Sequence, residues 1–260
     1  MAAVIETRNL AVAFGEGEAR EIIFHHLDIS IHKGEFVTLV GVSGAGKSTL
    51  LRVIADLIPA FEGGIQINTA QAPSRRPIAM VFQAANLMPW RKIRENITLG
   101  LEGIEVSETE RQERVDQTLD LVGLADYGDR WPYQLSGGQR QRIGIARALA
   151  VDPDILLMDE PFGALDAITR AGMQDELLRI WKETKKSILF VTHDIEEAVY
   201  LGDRLLLLGG KPAEIIKEYP NTLDRSERRE GAAFLRQVDE VKAGLHEAIA
   251  MIQNGNSNSK

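Results

Sequence analysis

A chain of 260 residues with 44% apolar and 26% charged side chains has the make-up of a soluble globular protein, enough for one large domain or two small ones. Its net charge of −8 argues against a nucleic-acid binder, and the absence of cysteine excludes a disulfide framework, a thiolate metal site and a cysteine nucleophile. The opening MAAVIETRN has neither a basic stretch nor a long apolar core, so it reads as no signal peptide. Runs such as Leu205–Leu208 fall far short of the roughly 20 apolar residues that span a bilayer.

In chain order, the early segment Val4–Val12 alternates imperfectly and reads as an antiparallel flank. Phe36–Val40 is the first continuous apolar run, the mark of a parallel strand covered on both faces. Directly after it, residues 41–48 read GVSGAGKS, a full match to the phosphate-loop pattern, and a helix over Lys47–Asp56 follows. Gly41, Ser43, Gly44, Ala45 and Gly46 can turn backbone N–H groups toward phosphate oxygens. Lys47 reaches the terminal phosphates, the Ser48 hydroxyl is suited to Mg²⁺, and Thr49 continues the helix start. This pattern between strand and helix implies an ATP-type nucleotide site.

A second apolar run, Ile78–Phe82, ends at Gln83, a polar tip that can touch Mg²⁺ or water or can be an ordinary strand end. After it, NLMPWRKIREN offers Leu87, Met88, Pro89 and Trp90, which suit either a core or a docking surface for a partner helix. The strand pattern then stops, and residues 90–150 read as an inserted helical subdomain. Ser107-Glu-Thr-Glu110 opens one helix with a capping box, and Ile143, Ala146 and Leu149 form a stripe on another.

That second helix begins at LSGGQ, residues 135–139. Ser136 is a good N-cap, and Gly137 and Gly138, ahead of Gln139, leave the backbone open to an anion or simply start a helix. One nucleotide needs one glycine-rich helix start, and this chain has two. Two copies related head-to-tail by a two-fold axis, with each LSGGQ facing the other copy's nucleotide, would use both.

The run DILLMDE at 154–160 places Asp159, suited to Mg²⁺, and Glu160, suited to polarising an attacking water, at a strand end. Strand alternation is expected to send these two side chains to opposite faces. ILFVTHD puts His193 at the tip of Ile188–Val191, either as a structural residue or as a contact to the γ-phosphate. A helix over Glu196–Leu201, a strand at Leu205–Leu208 and an amphipathic helix carrying Phe234, Val238, Val241, Leu245 and Ile249 complete the pattern, with Asn254–Lys260 reading as a frayed tail.

Phe14, GVSGAGKST, VFQ at 81–83, LSGGQ, ILLMDE, ALD at 164–166 and His193 occur in the order found in the ATP-binding cassette family, which the sequence resembles over almost its whole length. The resemblance implies an α/β P-loop NTPase fold with a mainly parallel sheet core, an antiparallel β flank and an inserted α-helical subdomain. The expected division is 1–89 with 151–225 for the nucleotide-binding core, 90–150 for the helical part and 226–253 for a C-terminal helical region. The resemblance also implies a homodimer enclosing ATP and Mg²⁺, with Phe14 stacking on adenine and Asp166 reaching across the dimer. Glu160, His193 and Gln83 would be catalytic, and Ser48, Gln83 and Asp159 would serve the metal.

NLMPWRKIRENI and DEPFGALDAITR resemble the nitrate/sulfonate/taurine-type importer ATPases, whose arginine- and proline-rich stretch is here reduced to EYPNTLDRSERRE. The implied partners are permease subunits docking near Gln83–Arg94 and, indirectly, a substrate-binding protein. The implied site of work is the cytoplasmic face of the membrane. The ATPase subunit of an exporter, or of an importer for another solute, stands as the alternative.

Overall fold

The computed structural model describes residues 2–257. They form two compact units, one built from the residues up to Asn68 together with those from Ser187 on, the other from Thr69–Lys186.

The first unit opens with β1 (Ala3–Phe14), β2 (Glu21–Leu27) and β3 (Ser30–His32). It continues through β4 (Phe36–Gly41), α1 (Lys47–Ile54) and β5 (Glu62–Ile67). β1 pairs antiparallel with β2, β3 and β5, and its register shifts explain the imperfect alternation of its sequence. β4, FVTLVG, is buried along its whole length, as a strand covered on both faces must be.

The second unit holds β6 (Ile78–Val81), α2 (Ile93–Thr98), α3 (Glu108–Leu121) and α4 (Gly137–Ala150). β7 (Ile155–Asp159) and α5 (Ala167–Thr184) follow. β6 and β7 are parallel, with Val81 opposite Met158. Ser107 caps α3 by accepting from the Glu110 N–H at 3.1 Å. Ile143, Ala146 and Leu149 are the buried stripe of α4.

The chain then returns to the first unit with β8 (Ser187–Val191), α6 (Ile195–Leu201), β9 (Arg204–Gly210), β10 (Ala213–Pro220) and α7 (Ala232–Ser257). β8 and β9 flank β4 in parallel, and β10 turns back antiparallel on β9. Phe234, Val238 and Val241 of α7 pack with Ala198 of α6, Leu205 and Leu207 of β9 and Tyr219 of β10, so α7 seals its own unit. It runs to Ser257, so positions 254–257, read above as frayed, are helical, while 258–260 lie outside the described residues. No helix among the described residues is long and apolar enough to cross a membrane.

The reduced arginine stretch closes α6. Arg228 is 4% exposed and donates to the carbonyls of Gly202 at 2.6 Å, Leu223 at 3.0 Å and Asn221 at 3.3 Å. Arg225 donates to Leu201 O at 3.0 Å and pairs with Asp203. The bonds to Leu201 and Gly202 satisfy carbonyls that a helix end leaves without partners, and those to Asn221 and Leu223 tie the stretch after β10 to it.

Candidate functional site

In the first unit β4 delivers Gly41 and the chain turns through 42–46 into α1. Gly46 is the N-cap, at φ 87°, a backbone conformation that costs an L-residue about 1 kcal/mol or more. A Cβ there would also lie 2.5 Å from Ile23 Cγ2. Lys47 is 7% exposed, and its ammonium donates to Gly41 O at 3.0 Å and Val42 O at 3.2 Å, holding a positive charge inside the loop. The first turn of α1 carries no acidic residue to offset the positive end of the helix.

Beside the loop lies a cavity of about 270 Å³ bordered by Ile22, Ile23, Ser43, Gly44, Ala45 and Lys211. Glu21 also lines it, and Phe14, 45% exposed, is Glu21's partner across β1 and β2. β4 and β8 are parallel with Leu39 opposite Val191, so His193 and Gly41, each two residues further on, share one sheet edge. The turn carrying His193 is pinned on both sides. Thr192 Oγ1 accepts from the Asp194 N–H at 3.0 Å, and Asp194 caps α6 by accepting from the Glu197 N–H at 3.1 Å.

In the second unit β7 ends at Asp159, which is 8% exposed. Glu160 is not a strand residue. Its φ is 44°, so its direction is set by a left-handed turn rather than by strand alternation, correcting the sequence-based reason for separating the two carboxylates. Gln83 stands two residues past Val81, as Glu160 stands two past Met158, and the parallel register brings both to one edge. Between them sits Gly163. A Cβ there would lie 3.1 Å from Gln83 Nε2 and 3.7 Å from the Glu160 carboxylate. A side chain there would press on the amide and touch the carboxylate.

The LSGGQ helix start is a full capping box. Ser136 Oγ accepts from the Gln139 N–H at 3.2 Å, and Gln139 Oε1 accepts from the Ser136 N–H at 2.9 Å. Ser136 and Gly137 are exposed, and Gly137 borders a cavity of about 400 Å³ that Gln83, Leu87 and Leu165 also line. Gly138, expected to leave its backbone open to an anion, also has a packing role. It is buried, and a Cβ on it would meet Thr169 Cγ2 at 2.7 Å, so its bare Cα lets α4 pack on α5. Asp166 caps α5, accepting from the Thr169 N–H at 3.0 Å and its hydroxyl at 2.7 Å. Those two bonds hold its carboxyl below the usual carboxylate range.

The phosphate loop with Ser48 and Thr49, Phe14 and His193 thus belong to the first unit. Gln83, Asp159, Glu160, residues 136–139 and Asp166 belong to the second. Sequence reasoning missed Gly163 and three side chains that grip the main chain around Gln83, Gln141 at the residue before it and Arg147 and Asn96 after it. The available clue was polar residues on otherwise buried helix faces. Trp90 is 70% exposed, so the choice between core and surface falls to surface.

The sequence matches the ABC transporter family over residues 24–163. It is 46% identical over 223 residues to the aliphatic sulfonates import ATP-binding protein of Paracoccus denitrificans, covering 86% of this chain and 84% of that one. To the taurine import ATP-binding protein of Rhizobium johnstonii it is 42% identical over 234 residues, covering 85% and 89%. A solved dimeric ATP-binding cassette in a post-hydrolysis state, bound to ADP and Pi, superposes with TM-score 0.71 at 32% identity, covering 85% of this chain and all of that one. By the family match and these likenesses, the chain belongs to the ABC transporter family as an ATP-binding cassette ATPase.

Proposed function

We propose that this chain is the ATP-hydrolysing subunit of an importer for a small anion of the sulfonate, taurine or nitrate type, and that two copies close head-to-tail on ATP to drive a membrane permease. The observation that carries the hydrolytic reading is that the Gln83 amide and the Glu160 carboxylate both approach Gly163, next to the strand that ends at Asp159. The importer reading rests on the likeness to the sulfonates and taurine import proteins.

In this reading the 41–46 backbone, Lys47 and Thr49 hold the phosphates while Phe14 stacks on adenine. Ser48, Asp159 and Gln83 present the hard oxygen donors that Mg²⁺ favours, and the ion would offset phosphate charge. Glu160 accepts the proton of a water whose oxygen bonds to the γ-phosphorus as the bond to the ADP oxygen breaks; His193 contacts the γ-phosphate. From the second copy come the Ser136 hydroxyl, the Gly137 N–H, Gln139 and Asp166. Gly138 adds its backbone N–H to that helix end, whose other side it packs on α5. Trp90, 70% exposed, gives the Gln83–Arg94 region an aromatic surface for a permease helix on the cytoplasmic face.

The test is affinity purification of the tagged chain from its native membranes, with identification of every co-purifying protein. The expected result is a multi-span permease together with a soluble binding protein that takes sulfonates, taurine or nitrate. A membrane partner without any binding protein would favour an exporter, and soluble partners alone would end the transport reading while leaving the ATPase intact.

A further inference from the structure

The segment after Gln83 forms neither strand nor helix up to Lys92, so its carbonyls have no ladder to join. Side chains from two helices take that role. From α4, Gln141 Nε2 donates to Phe82 O at 3.1 Å, and the Arg147 guanidinium donates to Ala85 O at 2.6 Å and Asn86 O at 3.1 Å. From α2, Asn96 Oδ1 accepts from the Met88 N–H at 2.7 Å while its Nδ2 donates to Met88 O and Arg91 O. Gly144 adds contact, since a Cβ on it would lie 3.4 Å from Ala85 Cβ.

The two grips of α4 fall on either side of Gln83, one at the residue before it and one two and three residues after. Gln83 itself is exposed. The bonds go to main-chain oxygens, so they constrain where the backbone runs and leave the glutamine side chain available. Arg147 also holds Asn86, whose φ is 47°. A fork of two N–H donors on successive carbonyls is a geometry that guanidinium matches and an ammonium cannot. Burial lowers the Arg147 pKa from its ordinary value, as for a cation enclosed to hold main chain rather than to face water.

We propose that Gln141 and Arg147 are positioning residues for Gln83. They fasten the chain on both sides of the glutamine to the helix that begins at Ser136, so that Gln83 and the LSGGQ helix end form one mechanical piece. A partner pressing on the Trp90 surface then displaces the glutamine and the helix end together instead of bending a loop. The proposal rests on the reading that Gln83 acts in hydrolysis.

The experiment compares ATP hydrolysis by the full-length chain carrying Arg147→Lys, Gln141→Met, Gln83→Ala, and each of the first two combined with Gln83→Ala. Each positioning variant is expected to lower kcat at least about tenfold with KM for ATP within about twofold, since small misplacements of an active group cost one to two orders of magnitude. In the Gln83→Ala background the same substitutions are expected to change kcat by less than about twofold, because the group they position is gone. Hydrogen exchange of the 83–88 amides should rise in both variants while the amides of α1 and β4 keep their protection.

An equal loss of kcat in both backgrounds would overturn the proposal and leave a general structural role. So would unchanged kcat in both single variants. If Gln83→Ala alone hydrolyses normally, the role of Gln83 itself fails, an outcome distinct from additive losses. Should Arg147→Lys fail to fold, Gln141→Met, which removes one neutral bond, carries the same comparison.

Discussion

At the scale of single residues, Lys47 and Glu160 are both held where an isolated side chain would not stay. The Lys47 ammonium is drawn inside the loop by two carbonyls of that loop, so a phosphate arriving there meets a charge already in place. Removing that charge should weaken binding by the worth of one or two charge-assisted bonds. Lys47→Ala is therefore expected to raise the ATP dissociation constant by about ten- to a hundredfold in calorimetric titration. Unchanged affinity would count against the loop as the phosphate cradle. Glu160 sits at φ 44°, a backbone state that a glutamate adopts only where its surroundings impose it. A sequence cannot reveal that angle, because DILLMDE reads as a strand to its end. The carboxyl pair at the strand tip was legible; the turn that separates its members was not.

At the scale of elements, the legible parts were those with local rules. Buried runs became parallel strands, Ser136 closed a full capping box while Ser107 made the N-cap bond with the Glu110 carboxylate turned to Arg114, and the apolar stripe of α7 found its own unit. What stayed hidden depends on which elements meet. That Gly138 marks the close approach of α4 to the start of α5 shows only in the fold, and Gln141 and Arg147 have meaning only once the turn at 82–86 lies against them. The α4–α5 contact yields a prediction with its own control. A methyl at Gly138 would sit 2.7 Å from Thr169 Cγ2. The overpacking should cost about 1–3 kcal/mol, more than the gain in helix propensity of at most about 1 kcal/mol. Gly138→Ala is thus expected to lower the denaturation midpoint. Adding Thr169→Ser removes the obstructing methyl while keeping the hydroxyl bonded to Asp166, and should restore most of the loss. Failure of that rescue would assign the small residue to something other than packing on Thr169.

At the scale of the whole molecule, the question is why one chain carries two glycine-bearing helix starts and one phosphate loop. The Ser136 end is exposed and capped, and its helix does not follow the phosphate loop in the chain. Pairing two copies gives each such end a nucleotide to face, and a relative of the same family is a dimer in its solved structure. Closure should then depend on ATP with its γ-phosphate, and it should persist only as long as hydrolysis is blocked. Glu160→Gln keeps the shape and the turn of the native residue but removes the carboxylate proposed as base, so hydrolysis is expected to fall at least about a hundredfold with ATP binding retained. In sedimentation velocity the variant should run as a dimer with ATP and as a monomer with ADP. Adding Ser136→Arg puts a long charged side chain at the proposed interface, and it should return the ATP-bound protein to monomer while the Lys47 loop still binds nucleotide. Each copy carries a net charge of −8, so the dimer is also expected to strengthen between low and physiological salt, as screening relieves repulsion between like-charged partners. A Glu160→Gln protein that binds ATP yet stays monomeric across that salt range would remove the head-to-tail pair, and the Ser136 helix end would need another ligand.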